Sequence, residues 1–86
     1  MSNDAIDIVG VLQALSPLDR AILRGVGRGL SSKQIGPLVE RSHHTIDDRL
    51  KVLKRRLDAT DRARAGRMLI AFEAGLNPLK DREAPA

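Results

Sequence analysis

Between residues 42 and 57 the apolar positions Ile46, Leu50, Leu53 and Leu57 recur at intervals of four, three and four, and Arg49, Lys51, Lys54, Arg55 and Arg56 stand between them. At about 3.6 residues per turn, that spacing collects the four apolar side chains on one stripe of a helix. A strand would need them at alternate positions. The segment therefore reads as a helix with an apolar face and a basic stripe, and Ser42 is placed to cap its start. The apolar face must be buried against other elements, and 86 residues leave room for one domain and one modest core.

The rest of the chain supplies helices to cover that face. Ser16-Pro17 followed by Asp19 combines a capping hydroxyl, a proline at the first helical position and a carboxylate at the positive end of the dipole. A helix is expected from Pro17 to about Arg28, burying Leu18, Ile22, Leu23 and Val26. Gly25, Gly27 and Gly29 weaken its end and offer a left-handed exit. Ser31-Ser32-Lys33-Gln34 has the pattern of a capping box opening a short helix, in which Pro37 is expected to cause a local distortion. A further helix from Thr60 or Asp61 to Ala74 would bury Ala65, Leu69 and Phe72 and stop at Gly75. Ahead of these, Ala5 to Leu15 reads as a short leading helix with Ile6, Val9, Leu12 and Leu15 on one stripe and Asn3 or Asp4 as N-cap. The expected class is all-α. Residues 1–15 form an N-terminal extension, 16–75 the main domain and 76–86 a flexible tail.

Composition narrows the function classes. Hydrophobic residues are 42% and charged residues 30%, a globular balance, yet Phe72 is the only aromatic, so aliphatic side chains must fill the core. The absence of cysteine leaves neither disulfides nor thiolate metal sites and suits a reducing cytoplasmic setting. Asp4 and Asp7 stand where a signal peptide would carry positive charge, and no apolar run approaches a membrane span. Fifteen Lys plus Arg against eleven Asp plus Glu give a net charge of +4, which favours a polyanionic partner. No catalytic triad, phosphate-binding glycine loop or metal set can be assembled from these residues. Gly25-Val26-Gly27-Arg28-Gly29 lacks the strand-to-helix context of a dinucleotide site, and His43-His44, adjacent on a helix, should point apart. The chain is expected to be no enzyme and to need no cofactor.

A short helix, a tight turn at about Glu40 to Ser42 and a longer basic helix make a helix-turn-helix, whose second helix enters the major groove of DNA. Leu15-Ser16-Pro17-Leu18-Asp19-Arg20-Ala21-Ile22-Leu23, Gly29-Leu30-Ser31-Ser32-Lys33-Gln34-Ile35-Gly36 and Ser42-His43-His44-Thr45-Ile46-Asp47-Asp48-Arg49 follow one another in this chain. Together they resemble the LuxR/FixJ/GerE family of bacterial DNA-binding domains over about Leu15 to Gly75. The resemblance implies a four-helix LuxR/GerE-like domain, here with a short extra N-terminal helix. It also implies a stand-alone transcriptional regulator that binds double-stranded DNA, with a homodimer formed through the last helix. Arg62, Ala63, Gly66 and Ile70 are the implied dimer surface, although small residues there serve packing within one domain equally well.

Within the helix-turn-helix, His44, Asp47, Asp48, Arg49 and Lys51 are the candidates for base edges. Arg49 is foremost, because a guanidinium pairs bidentately with guanine. Ser32, Lys33 and Thr45, by the resemblance, and Lys54, Arg55 and Arg56, by their charge, are the candidates for the DNA backbone. Three features depart from the family pattern: Glu40 and Arg41 in place of a turn glycine and an apolar residue, Pro37 inside the preceding helix, and the pair Asp47-Asp48. These aspartates select cytosine, weaken DNA binding, or merely favour the helix dipole and pair with Lys51. They also motivate an alternative: a protein-interaction module of the same fold that binds a sigma factor, RNA polymerase or another regulator.

Overall fold

Backbone N–H groups at the start of each helix find an oxygen one turn back. The structure is a computed structural model that describes residues 7–79, and these are all-helical: α1 (Ile8–Gln13), α2 (Pro17–Gly27), α3 (Ser32–Val39), α4 (His43–Arg56) and α5 (Arg62–Glu73). Ser16 accepts from the Asp19 N–H at 3.0 Å, Ser42 from Thr45 at 3.2 Å and Asp61 from Arg64 at 2.8 Å. The capping box at α3 is complete, with Gln34 N–H on Ser31 Oγ at 3.2 Å and Ser31 N–H on Gln34 Oε1 at 2.8 Å. The leading helix begins later than its periodicity suggests, because the Asp7 carboxylate takes the Gly10 N–H at 2.9 Å and sets the first turn there. The expected caps Asn3 and Asp4, with Ala5 and Ile6, lie outside the described residues.

The helix ends share one device. Gly29, Glu40, Asp58 and Gly75 follow α2, α3, α4 and α5 with φ of 90°, 59°, 53° and 79°. After each, the next N–H reaches back to a carbonyl five residues earlier: Leu30 to Gly25, Arg41 to Gly36, Ala59 to Lys54 and Leu76 to Ala71, at 2.8–3.0 Å. These closures satisfy carbonyls that a helix end would otherwise leave free. Pro37 lies in the last turn of α3, and the helical geometry continues past it to Val39.

The core is aliphatic. Leu12, Ile22, Leu23, Ile35, Ile46, Leu53, Leu57, Met68 and Leu69 are fully buried, and the whole Ile46–Leu50–Leu53–Leu57 stripe faces inward. Leu12 and Leu15 of the leading segment join that core together with Ile8, whereas Val9 is exposed and Phe72 only half-buried. Helices α2 and α5 form the most extensive pairing, and they cross with backbone against backbone. A Cβ at Gly66 would lie 2.5 Å from Gly27 N, and one at Gly27 would lie 2.8 Å from Gly66 O and 2.6 Å from Ile70 Cγ1. Arg24 and Arg20 of α2 clamp Glu73 of α5 beside the crossing, at 2.7 and 3.4 Å. Among the described residues, no helix is long and apolar enough to cross a membrane.

Candidate nucleic-acid interface

Helix α4 is fixed to its neighbours on both flanks by charged groups. On one flank, Arg49 donates from Nε and a terminal nitrogen to the two carboxylate oxygens of Asp19 in α2, at 2.9 and 2.5 Å. Asp19 is only 3% exposed, so a buried carboxylate receives a bidentate cation, and that carboxylate in turn holds the Arg49 proton more tightly than usual. On the other flank, Asp47 accepts from Ser32 of α3 and, at 2.7 Å, from Arg62 of α5, while Arg62 also donates to Ser32 Oγ at 2.8 Å. The Ser32 hydroxyl first and the Arg62 guanidinium second hold the Asp47 carboxyl below the usual carboxylate range. Three helices meet in that one network.

These bonds redistribute the expected roles. Arg49, expected to reach guanine, is held by Asp19, because the Asp19 carboxylate is buried and has to be paired. Asp47 pairs with Ser32 and Arg62 rather than with Lys51, and Ser32, expected on phosphate, is buried with its hydroxyl engaged. Arg62, Gly66 and Ile70, expected on a dimer surface, face their own domain: Arg62 in the network, Gly66 and Ile70 against Gly27. Ala63 of that set is exposed. The His43 and His44 rings do not point apart but lean together, with centroids 4.1 Å from one another.

What α4 leaves toward solvent is a second stripe with the spacing of the first. His44, Asp48, Lys51 and Arg55 are separated by four, three and four residues, two positions behind Ile46, Leu50, Leu53 and Leu57, and all four are exposed. At about 100° per residue, that offset of two places them on the opposite pole of the helix. Among the described residues, the side chains of Asp48, Lys51 and Arg55 form no hydrogen bond or ion pair. Arg56 is exposed beside this pole, and Lys51, Lys54 and Arg55 border a shallow depression that continues to Asp58, Ala59 and Thr60. At the other end of α4, Lys33, Arg41, Ser42 and His43 border another depression. Thr45 is half-buried, with its hydroxyl on Ser42 at 3.2 Å.

Two elements of this arrangement are not visible in sequence. Asp19 reads as an ordinary first-turn carboxylate, and its partner lies 30 residues away on another helix. Arg62 reads as an exposed residue of the last helix. Arg55 was the accessible signal: it completes the 44–48–51–55 stripe, so counting the periodicity of the polar face as well as the apolar one assigns it. Comparisons of the chain with protein-family models, with curated proteins and with solved structures return no match.

Proposed function

We propose that this protein is a DNA-binding transcriptional regulator of the helix-turn-helix kind, LuxR/GerE-like in fold, that lays α4 in the major groove of double-stranded DNA. The single observation that carries the reading is the outer pole of α4. It presents unpaired cations at helical spacing on a rigid element, while the neighbouring charges are neutralised inside the domain. A helix fits the major groove, and cations free of internal partners are available to phosphates and base edges. The three-residue turn from Glu40 to Ser42 joins α3 to α4 in the order that such a motif uses. An intracellular, cytoplasmic location belongs to this reading. So does a homodimer, formed on the exposed side of α5 marked by Ala63, since Gly66 and Ile70 are packed internally.

The test is to incubate the purified protein with fragmented genomic DNA of its host near physiological salt, recover the bound fragments and sequence them over several rounds. Enrichment of a short motif supports the reading, and an inverted repeat of that motif supports the dimer. Recovery without enrichment favours the second reading, a protein-interaction module that binds a component of the transcription machinery. One observation speaks for that alternative: Leu38 on α3 is 71% exposed, a large apolar side chain presented to solvent by the same two-helix unit.

A further inference from the structure

Resting on the proposed function, we infer that Asp48 is a specificity-determining residue of α4 and that it selects a base offering an amino donor in the major groove, cytosine first. The carboxylates that join α4 to the neighbouring helices are both answered. Asp19 is taken by Arg49, and Asp47 by Ser32 and Arg62. Asp48 alone stands on the outward pole, between His44 one turn before it and Lys51 and Arg55 after it, with no hydrogen bond or ion pair of its own among the described residues.

The chemistry of the groove restricts what such a group can meet. Phosphates repel it, and the acceptor atoms of guanine (N7, O6) and thymine (O4) repel it as well. The donors on the major-groove edge are the N4 amino group of cytosine and the N6 amino group of adenine. Adenine sets its N7 acceptor beside N6, where a second carboxylate oxygen is unwelcome, so cytosine is the better partner. A carboxylate held at that position acts by exclusion as much as by attraction, because every wrong base leaves it desolvated and unpaired. Arg49 is turned from this role, since the Nε edge of its guanidinium, with one terminal nitrogen, is committed to Asp19 in α2. Lys51, one turn on, is left to the guanine or phosphate beside the selected base.

An amide at the same position reverses the pattern, because asparagine offers both a donor and an acceptor and matches N6 and N7 of adenine. The experiment is cyclic selection from a random duplex pool with the full chain, in parallel for the unmodified protein, Asp48→Asn, Asp48→Ala and Arg49→Lys, each checked by thermal melting. Asp48 is exposed, so its variants are expected to melt as the unmodified protein does. The expected result is a motif with one cytosine column per half-site. That column moves to adenine in Asp48→Asn, with a preference of about tenfold. In Asp48→Ala it is lost while affinity for unrelated duplex rises, and in Arg49→Lys it is unchanged. Binding of a motif whose columns are the same in both Asp48 variants overturns the assignment and leaves the DNA reading standing. Failure of the unmodified protein to bind any duplex overturns the DNA reading, and the assignment with it.

Discussion

The two halves of this small core are specified by opposite means. Where α2 crosses α5, the decisive positions are Gly27 and Gly66, and the absence of side chains there lets two backbones touch. Where α4 joins α2, α3 and α5, the decisive positions are Arg49 with Asp19, and Asp47 with Ser32 and Arg62, so long polar side chains set the geometry. The first joint is steric and has little give. The second is electrostatic, and it fixes which charges of α4 are held inside and which are presented. The difference teaches that the placement of the outward stripe depends on the polar joint, while the survival of the fold depends on the glycine joint.

If the crossing is steric, a single methyl group should do the most damage. Gly66→Ala is expected to lower stability by about 3 kcal/mol, at the upper end of overpacking costs, because the atoms it meets are backbone and cannot rotate away. Thermal melting checks this, and a drop of roughly 10 °C or more is expected for a domain of this size. A neutral Gly66→Ala would show that the crossing is not set by backbone contact. Second in size, Arg49→Ala is expected to cost about 2 kcal/mol, since it leaves the buried Asp19 carboxylate without its cation, discounted because Arg49 itself is 37% exposed. Denaturant unfolding measures it. An unchanged midpoint, joined to a changed DNA preference, would return Arg49 to base readout.

A smaller effect of opposite sign is expected at the turn. Glu40 adopts a left-handed conformation at φ 59°, which costs a residue with a Cβ about 1 kcal/mol or more, so Glu40→Gly should raise stability by roughly 0.5 kcal/mol after the extra chain entropy of glycine. A loss instead would mean that the Glu40 side chain contributes to the turn. Least of all, the polar joint should respond to acid. In that joint the folded-state carboxyl of Asp47 is lowered by Ser32 and Arg62, and beside the α2–α5 crossing that of Glu73 is lowered by Arg24 and Arg20. Groups lowered on folding stabilise the native state above the ordinary carboxylate range of about 4, and that contribution is lost as pH falls through their lowered values. A melting series from pH 6 downward should therefore decline, and it should decline less in Asp47→Asn. Identical slopes would remove Asp47 from the joint.

Much of the local structure is legible in the residues themselves. Ser16, Ser31, Ser42 and Asp61 each announce a helix start because capping is a matter of three or four consecutive residues, and Ile46 to Leu57 announces a buried face because periodicity is local too. The periodicity of the leading segment does not locate the start of α1, because the Asp7 carboxylate takes the Gly10 N–H and sets the first turn there. At the candidate site residue types are legible but their partners are not. Arg49 is a cation on a basic helix until Asp19 is brought beside it, and Gly27 is a weak point in a helix until Gly66 meets it. Such pairings join positions 30 or more residues apart, and nothing in the spacing of either member records the other.

The central claim is that the outward pole of α4 meets DNA, and the most direct test is the salt dependence of duplex affinity by fluorescence anisotropy. Five cations stand on or beside that surface: Lys33, Lys51, Lys54, Arg55 and Arg56. Neutralising one phosphate each gives a slope of log affinity on log salt of about −4.5 for one copy, at roughly 0.9 per contact, and Lys54→Ala should make that slope shallower by about one. A slope near zero, or one that Lys51→Ala, Lys54→Ala and Arg55→Ala all leave unchanged, would contradict the account.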